Sequence, residues 1–168
     1  MRRLAVLLSI LMLSHVVSAS PEITVNLDLE RKLTDFDLGV NGGTISPDGN
    51  SVLIYGEDGY AHLLSANNAD DESTDIRLEK ETMSSLNDAT WHPGGKSALI
   101  VGDNGTILRL NSTNYALGEA EGSIAMAGKD INTIRFTAGS SVAYLGTDDG
   151  DCLLYTSPSP RDLSTSRM

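Results

Sequence analysis

Apolar and polar residues along this chain fall into short runs separated by glycine-centred turns, and the runs repeat. From Thr44 to Leu64 the order is a turn at Pro47-Asp48-Gly49, an apolar run Val52-Leu53-Ile54-Tyr55-Gly56, a turn Glu57-Asp58-Gly59 and a second run Ala61-His62-Leu63-Leu64. The same order returns with a turn at Pro93-Gly94-Gly95, a run from Ala98 to Gly102, a turn at Asp103-Asn104-Gly105 and a run from Thr106 to Leu110. Pro47 meets Pro93, Gly49 meets Gly95, Gly56 meets Gly102 and Gly59 meets Gly105, each at a separation of 46. A third copy sets Phe136 against Trp91 and Gly150 against Gly105 at a separation of 45, with Val142-Ala143-Tyr144-Leu145-Gly146 as its run. In that copy one residue is lost before Gly146 and one is gained in the turn Thr147-Asp148-Asp149. Repetition on this scale decides architecture before any other feature.

Each copy can be built from local physics. Pro-Asp-Gly, Pro-Gly-Gly and Ala-Gly-Ser predict tight turns, in which proline sets φ at the first corner and glycine supplies a positive φ. The run that follows is apolar on consecutive residues, which predicts a strand covered on both faces. Asp58-Gly59, Asn104-Gly105 and Asp149-Gly150 predict two-residue hairpin turns leading into a returning strand. A fourth, more polar strand is expected at Asp75 to Glu79 and, in the second copy, near Ser123 to Met126. Ahead of the repeats, Ile23 to Glu30 alternates strictly and predicts a strand with one buried face. Phe36 and Leu38 continue that period, and Asn41-Gly42-Gly43 reads as a turn that ends it. Four strands in about 45 residues, the second buried on both sides, make a propeller blade. The fold class is therefore all-β: a partial β-propeller of about three four-stranded antiparallel blades, with repeats at about 44–64, 90–110 and 135–155.

From Thr44 to Asp151 the repeats resemble the WD-repeat-like and related extracellular β-propellers. They lack the Gly-His dipeptide and closing Trp-Asp of WD repeats, and the Ser-x-Asp-x-Gly-x-Thr-Trp box of sialidase-type propellers. The stretch Gly102-Asp103-Asn104-Gly105-Thr106-Ile107 is similar to one in propellers that act as photosystem assembly factors. The resemblance implies a non-enzymatic scaffold that binds a protein or glycan on one face of a disc. The alternatives are an assembly factor of that kind, a purely structural cell-surface repeat domain, or part of a propeller enzyme. The enzyme would be a hydrolase, a lyase or a quinone- or metal-dependent oxidoreductase, its site gathered from other blades.

Both ends of the chain change this picture. Met1-Arg2-Arg3, the apolar run Leu4 to Leu13 and Val17-Ser18-Ala19 have the three parts of a secretory leader, with cleavage expected after Ala19. Ser14 and His15 interrupt the run well short of the roughly 20 apolar residues of a spanning helix. A secreted, extracytoplasmic protein is the expectation, with no membrane role beyond export. Cys152 to Asp162 resembles one reading frame of a transposase-type sequencing adapter, codon by codon, and Ser166-Arg167-Met168 fits the fixed bases that follow its index. Residues 152–168 are therefore read as a non-native tail. The native domain is taken as 20–151, and further blades are expected beyond it. Such an arc would leave apolar faces uncovered around Val52-Leu53-Ile54 and Val142 to Leu145. On its own it is expected to be insoluble, oligomeric or only partly folded. Cys152-Leu153-Leu154-Tyr155 is apolar enough to pair where a third strand belongs.

The chain carries 12 basic and 23 acidic residues, a formal charge of −11. Without Arg2, Arg3, Arg161, Arg167 and Asp162, the stretch from Ser20 to Asp151 holds 8 basic and 22 acidic residues, a formal −14. Such a surface repels phosphate backbones and anionic lipid, which argues against nucleic-acid partners. Cys152 is the one cysteine, so neither a disulfide framework nor a thiolate site is expected in the native part.

The chemistry-bearing residues do not converge on a reaction. The acidic turns lack the alternating acids and distant glutamate of a calcium loop. They are read as hairpin turns whose Asp and Asn tolerate the geometry. His62 and His92 sit at non-equivalent repeat positions, and His92 is read as a strand-end residue satisfied by backbone groups. Gly-x-Ser-x-Gly and Gly-x-Gly-x-x-Gly are absent, and the acidic run Asp70 to Asp75 is read as a solvated loop between third and fourth strands. No catalytic, cofactor-binding or metal residue is assigned, and no cofactor. Asn111 and, less favourably, Asn104 lie in N-glycosylation acceptor patterns. The residues that define the repeat structurally are Pro47, Gly56, Gly59, Trp91, Pro93, Gly102, Gly105, Phe136, Gly146 and Gly150.

Overall fold

The computed structural model describes residues 39–68, 71–120, 127–139 and 142–156. The expected leader, the strand at 23–29, Phe36 and Leu38, the segment 123–126 and the tail from 157 onward lie outside the described residues. Among the described residues, three antiparallel sheets follow one another along the chain. The first blade holds β1 (Val40–Ile45), β2 (Ser51–Gly56), β3 (Ala61–Ser65) and β4 (Ile76–Arg77). The second holds β5 (Leu86–Trp91), β6 (Ser97–Gly102), β7 (Ile107–Asn111) and β8 (Leu117–Glu119). The third holds β9 (Ile131–Phe136), β10 (Val142–Thr147) and β11 (Cys152–Thr156). Each is a simple meander, and β5 packs between β1 and β9.

The second strand of the middle blade shows why consecutive apolar residues were needed. Ala98 and Ile100 turn toward the first blade and join Leu53, Tyr55, Leu63, Leu86 and Trp91 in one apolar layer. Leu99 and Val101 turn the other way and join Ile131, Ile134, Leu145 and Tyr155 in a second layer. Side chains alternate across a strand, so a blade covered on both sides has no polar position to spare there. Full burial of each Leu, Ile or Val contributes about 1.5–3 kcal/mol over exposure.

The turns between first and second strands are built as expected, by two different chemistries. In the first blade Gly49 at φ 74° donates its N–H to the Ser46 carbonyl at 2.9 Å. The Asp48 carboxylate accepts from the Ser46 hydroxyl at 2.5 Å and the Asn50 N–H at 3.1 Å. Those bonds, the serine hydroxyl first, hold the Asp48 carboxyl below its usual range. In the second blade Gly95 bonds the His92 carbonyl at 2.8 Å, and the His92 ring Nδ1 accepts the Gly94 N–H at 3.0 Å. His92 is thus a strand-end residue satisfied by backbone.

Three expectations are corrected. Asn41-Gly42-Gly43 is not a turn but the middle of β1, paired with Tyr55 and Ile54 of β2. The glycine at 42 answers a packing demand: a Cβ there would meet the Tyr55 hydroxyl at 2.5 Å, because that phenol crosses β1 on its way to the next blade. Among the described residues the fourth strand of the second sheet is Leu117–Glu119, and Leu117 seals the first apolar layer; the segment 123–126, expected to carry that strand, lies outside the described residues. The third hairpin is of another type. Asp58 and Gly59, like Asn104 and Gly105, both take positive φ, as a two-residue primed turn requires. In the third blade only Gly150 does, and it bonds back to the Thr147 carbonyl at 3.1 Å. The turn has three residues in every blade, closed by bonds from the N–H of Gly56, Gly102 and Thr147 to the carbonyls of Tyr60, Thr106 and Asp151, so Thr147 takes the place of Gly102 and the expected loss before Gly146 and gain in the turn do not occur.

Cys152–Thr156 pairs along the whole of β10, with Tyr155 buried and Leu153 packed beside it. Alternating inward residues suffice for this pairing, whatever the origin of the segment.

Candidate functional site

Inter-blade contacts centre on a carboxylate that sequence reasoning passed over. Asp88 lies on β5 at the repeat position held by Gly42 in the first blade and Thr133 in the third. Its side chain is buried. Oδ1 accepts from the Tyr55 hydroxyl at 3.2 Å and the Ala89 N–H at 2.9 Å. Oδ2 accepts from the Thr133 hydroxyl and the Ile134 N–H, both at 2.9 Å, and from Arg135 Nη1 at 2.5 Å. One side chain of the middle blade thereby takes donors from both neighbours. A buried carboxylate without such partners would be strongly unfavourable. Burial first, and the Asp88 charge second, push the Tyr55 phenol above its ordinary value. With five donors on its two oxygens, Asp88 ties the three blades together.

Beside it runs a second tie, repeated in register. Pairing slips by one residue between Val40 and Gly42, between Leu86 and Asp88, and between Ile131 and Thr133. The residue bulged out each time is asparagine: Asn41, Asn87 and Asn132. A bulge re-aims a side chain along the sheet edge. Asn41 Nδ2 donates to the Leu86 carbonyl at 3.0 Å and the Ser85 hydroxyl at 2.9 Å. Asn87 Nδ2 donates to the Ile131 carbonyl at 3.2 Å and to Asp103 Oδ1 at 2.7 Å. Leu86 and Ile131 are themselves equivalent positions, 45 apart. The spacing of 46 and 45 between the three asparagines was the signal that could have found this device.

The residues expected to define the repeat take structural places. Pro47 and Pro93 occupy first corners, Gly56 and Gly102 close second strands, and Gly146 lies one residue before the end of β10. A Cβ on Gly102 would overlap the Ser85 carbonyl oxygen, so the close approach of β5 demands glycine there. Trp91 Nε1 reaches back to the Thr44 carbonyl at 3.4 Å, and Phe136 lies edge-on to the His92 ring at 5.2 Å between centroids. Each aromatic thus touches the preceding blade. Asn104 sits in the left-handed turn with its N–H on Asp130 Oδ1 at 2.9 Å. Asn111 ends β7, exposed, its Oδ1 accepting the Thr113 N–H at 2.9 Å. His62 Nδ1 lies 2.9 Å from the Tyr60 hydroxyl. Among the described residues no group of three or more His, Cys, Asp or Glu is placed to hold a metal ion.

The hairpin turns between second and third strands share one face with the entries to the inner strands. Gly105 donates to the Lys129 carbonyl at 2.6 Å and Asp148 to the Asp130 carbonyl at 3.0 Å, which fixes these turns against the backbone. Glu57, Asp58, Asp148, Asp149 and Asp151 are exposed there, with Asp103 and Asp130 half-buried. Lys129 answers them in part: hydrogen-bonded to Asp151 at 2.5 Å and 3.6 Å from Asp149, its ammonium is held above the usual lysine range, chiefly by the Asp151 bond. A cleft of 260 Å³ opens between Thr82, Thr106, Glu119 and Ala127 on the same side. The described part of the acidic run, residues 71–75, lies between β3 and β4, where Asp71 Oδ1 accepts the Ser73 N–H at 3.0 Å and caps the short 3-10 turn Glu72–Thr74.

Sheets joined in series around inner strands, each covering the next, leave one architecture. The fold is a partial β-propeller. Two solved structures similar to it are titled "Crystal structure of RRP9 WD40 repeats" and "Structure of U3-55K". Each is 14% identical, with a TM-score of 0.60 over 75% of this chain. The chain spans 38% of the length of either. At that identity the likeness concerns the fold. No family model matches the chain, nor does any curated protein.

Proposed function

We propose that this chain is a non-enzymatic, exported scaffold that binds a partner protein through the acidic face of its blades. The supporting observation is the repetition of acidic side chains at the second hairpin of every blade, on turns whose backbones are held by the neighbouring strand entries. A rigid row of like charges, most of them exposed and answered among the described residues by Lys129, favours a partner with a lysine- or arginine-rich surface. Nucleic acid is disfavoured by the same charge. Export rests on the leader pattern at Met1 to Ala19, and protein recovered outside the cytoplasm should begin at Ser20.

The test is calorimetric titration of the full chain with a lysine-rich peptide and an acidic peptide of equal length. Binding of the first only, weakening with salt, is expected. Replacing Asp58, Asp148 and Asp149 together by asparagine should weaken it about tenfold, since three exposed ion pairs contribute about 0.5 kcal/mol each. Those positions are exposed, so folding is preserved. Equal binding of both peptides, or affinity indifferent to the three substitutions, would defeat the proposal.

A further inference from the structure

Two stretches of the second blade fit the N-glycosylation acceptor pattern, Asn104-Gly105-Thr106 and Asn111-Ser112-Thr113, and both lie wholly within the described residues. They sit at opposite ends of β7 and are built differently. In the first, the Thr106 hydroxyl donates to the Asp103 carbonyl at 2.7 Å, so the hydroxyl two residues after the asparagine is turned into the hairpin. The backbone there is tied to residues far along the chain, Gly105 to the Lys129 carbonyl and Asn104 to Asp130. In the second, the turn is closed by its own residues. Asn111 donates its N–H to the Ala116 carbonyl at 2.9 Å, Tyr115 donates to the Asn111 carbonyl at 2.8 Å, and Asn114 Oδ1 accepts the Ala116 N–H at 3.2 Å. Asn111 and Thr113 are both exposed, and the Thr113 N–H on Asn111 Oδ1 at 2.9 Å fixes the side-chain amide through its oxygen rather than its nitrogen. These bonds need nothing beyond residues 111–116, so the turn can form before the blades pack. Those of the Asn104 turn require the chain through Asp130 to have folded back.

We infer that Asn111 carries an N-linked glycan and that Asn104 does not. The inference rests on the export proposed above, because the donor, a lipid-pyrophosphate-linked oligosaccharide, meets only chains that enter the secretory route. Asn111 Nδ2 attacks the anomeric carbon of the first sugar. A C–N bond forms, the C–O bond to phosphate breaks, its electron pair leaves with the lipid pyrophosphate, and one amide proton passes to a base of the transferring enzyme. Ser97 pairs with Asn111 and Val101 with Ile107, so Asn111 lies at the end of β7 away from the Asp103–Gly105 hairpin. The 5 residues of β7 set it about 16 Å from that hairpin at the rise of a strand. The glycan therefore stands clear of the acidic turns.

The experiment expresses the full chain in a eukaryotic host twice, once with its own Met1 to Ala19 and once with those residues exchanged for an unrelated secretory leader. Secreted and lumenal protein are read together, so that a variant that folds poorly still reports. An amidase that releases N-glycans, used in heavy-oxygen water, converts each occupied asparagine to a labelled aspartate. Trypsin then separates the two sites, because Lys96, Arg109 and Lys129 place Asn104 on the peptide 97–109 and Asn111 on 110–129. With the exchanged leader, a single electrophoretic step that the amidase removes is expected, with label confined to 110–129. Asn111→Gln and Thr113→Ala should each abolish the step, Thr113→Ser should retain it at lower occupancy, and Asn104→Gln should leave it unchanged. The absence of a step with the exchanged leader, label on 97–109, or a step that persists in Asn111→Gln overturns the inference. Glycosylation with the exchanged leader but not with the chain's own supports the acceptor and defeats the export reading alone.

Discussion

Tyr55 shows how one residue can belong to two blades. Its ring packs in the first apolar layer while its hydroxyl reaches Asp88 of the next blade, and Gly42 is glycine so that it can pass. Tyr55→Phe keeps the packing and removes the bond, so a loss of about 1 kcal/mol is expected in urea unfolding. The pH dependence has a definite sign. Burial and the Asp88 charge raise the folded phenol above the ordinary tyrosine value of about 10. Its contribution to stability is complete below the unfolded pKa and is lost as pH rises through the folded one. Wild type should therefore lose stability above about pH 10 more steeply than Tyr55→Phe. Parallel alkaline curves for the two proteins would show that the phenol does not sit as described. Asp88 was not legible in sequence because an aspartate amid so many acids looks solvated. Only the donors from both flanking blades distinguish it.

At the level of the element, the inner strand is where sequence reading and structure part most. The second strands were legible because each is an unbroken apolar run, which in the middle blade is buried on both faces, a pattern with no polar counterpart. The inner strand β1 offers two glycines and an asparagine, residues that ordinarily mark a turn. Here they serve a bulge and a crossing side chain. The bulge has a measurable role. Asn87→Ala deletes bonds to Asp103 and to the Ile131 carbonyl, and a loss of about 1–2 kcal/mol is expected in equilibrium unfolding. Asn87→Asp should not rescue it, because a carboxylate would face another carboxylate and a carbonyl. Rescue by aspartate would mean that the amide donor is not what holds the blades together.

Across the whole molecule, stability is expected to be graded. Among the described residues the middle blade is covered on both faces, the outer two on one. Local opening costs most where apolar contacts are densest. Amide hydrogen exchange should therefore be slowest in Ala98 to Val101, with Leu53 to Tyr55 and Ala143 to Leu145 faster. Equal protection of the three second strands would contradict an arc of serially packed blades. It would point instead to cover on the outer faces.

By itself the sequence determined the repeat, the positions of the hairpin turns, the second strands with the doubly buried one of the middle blade, and the acidity of the chain. Each of these follows from residue spacing or from local backbone preference, and spacing survives in one dimension. Tertiary structure decided the rest: that Asn41-Gly42-Gly43 is extended, that Leu117–Glu119 supplies a fourth strand, and that Asp88 accepts hydrogen bonds from two neighbouring blades. Those outcomes depend on which side chain of one blade reaches the backbone of another. That is a property of contact across some 45 residues, and local preference carries no record of it.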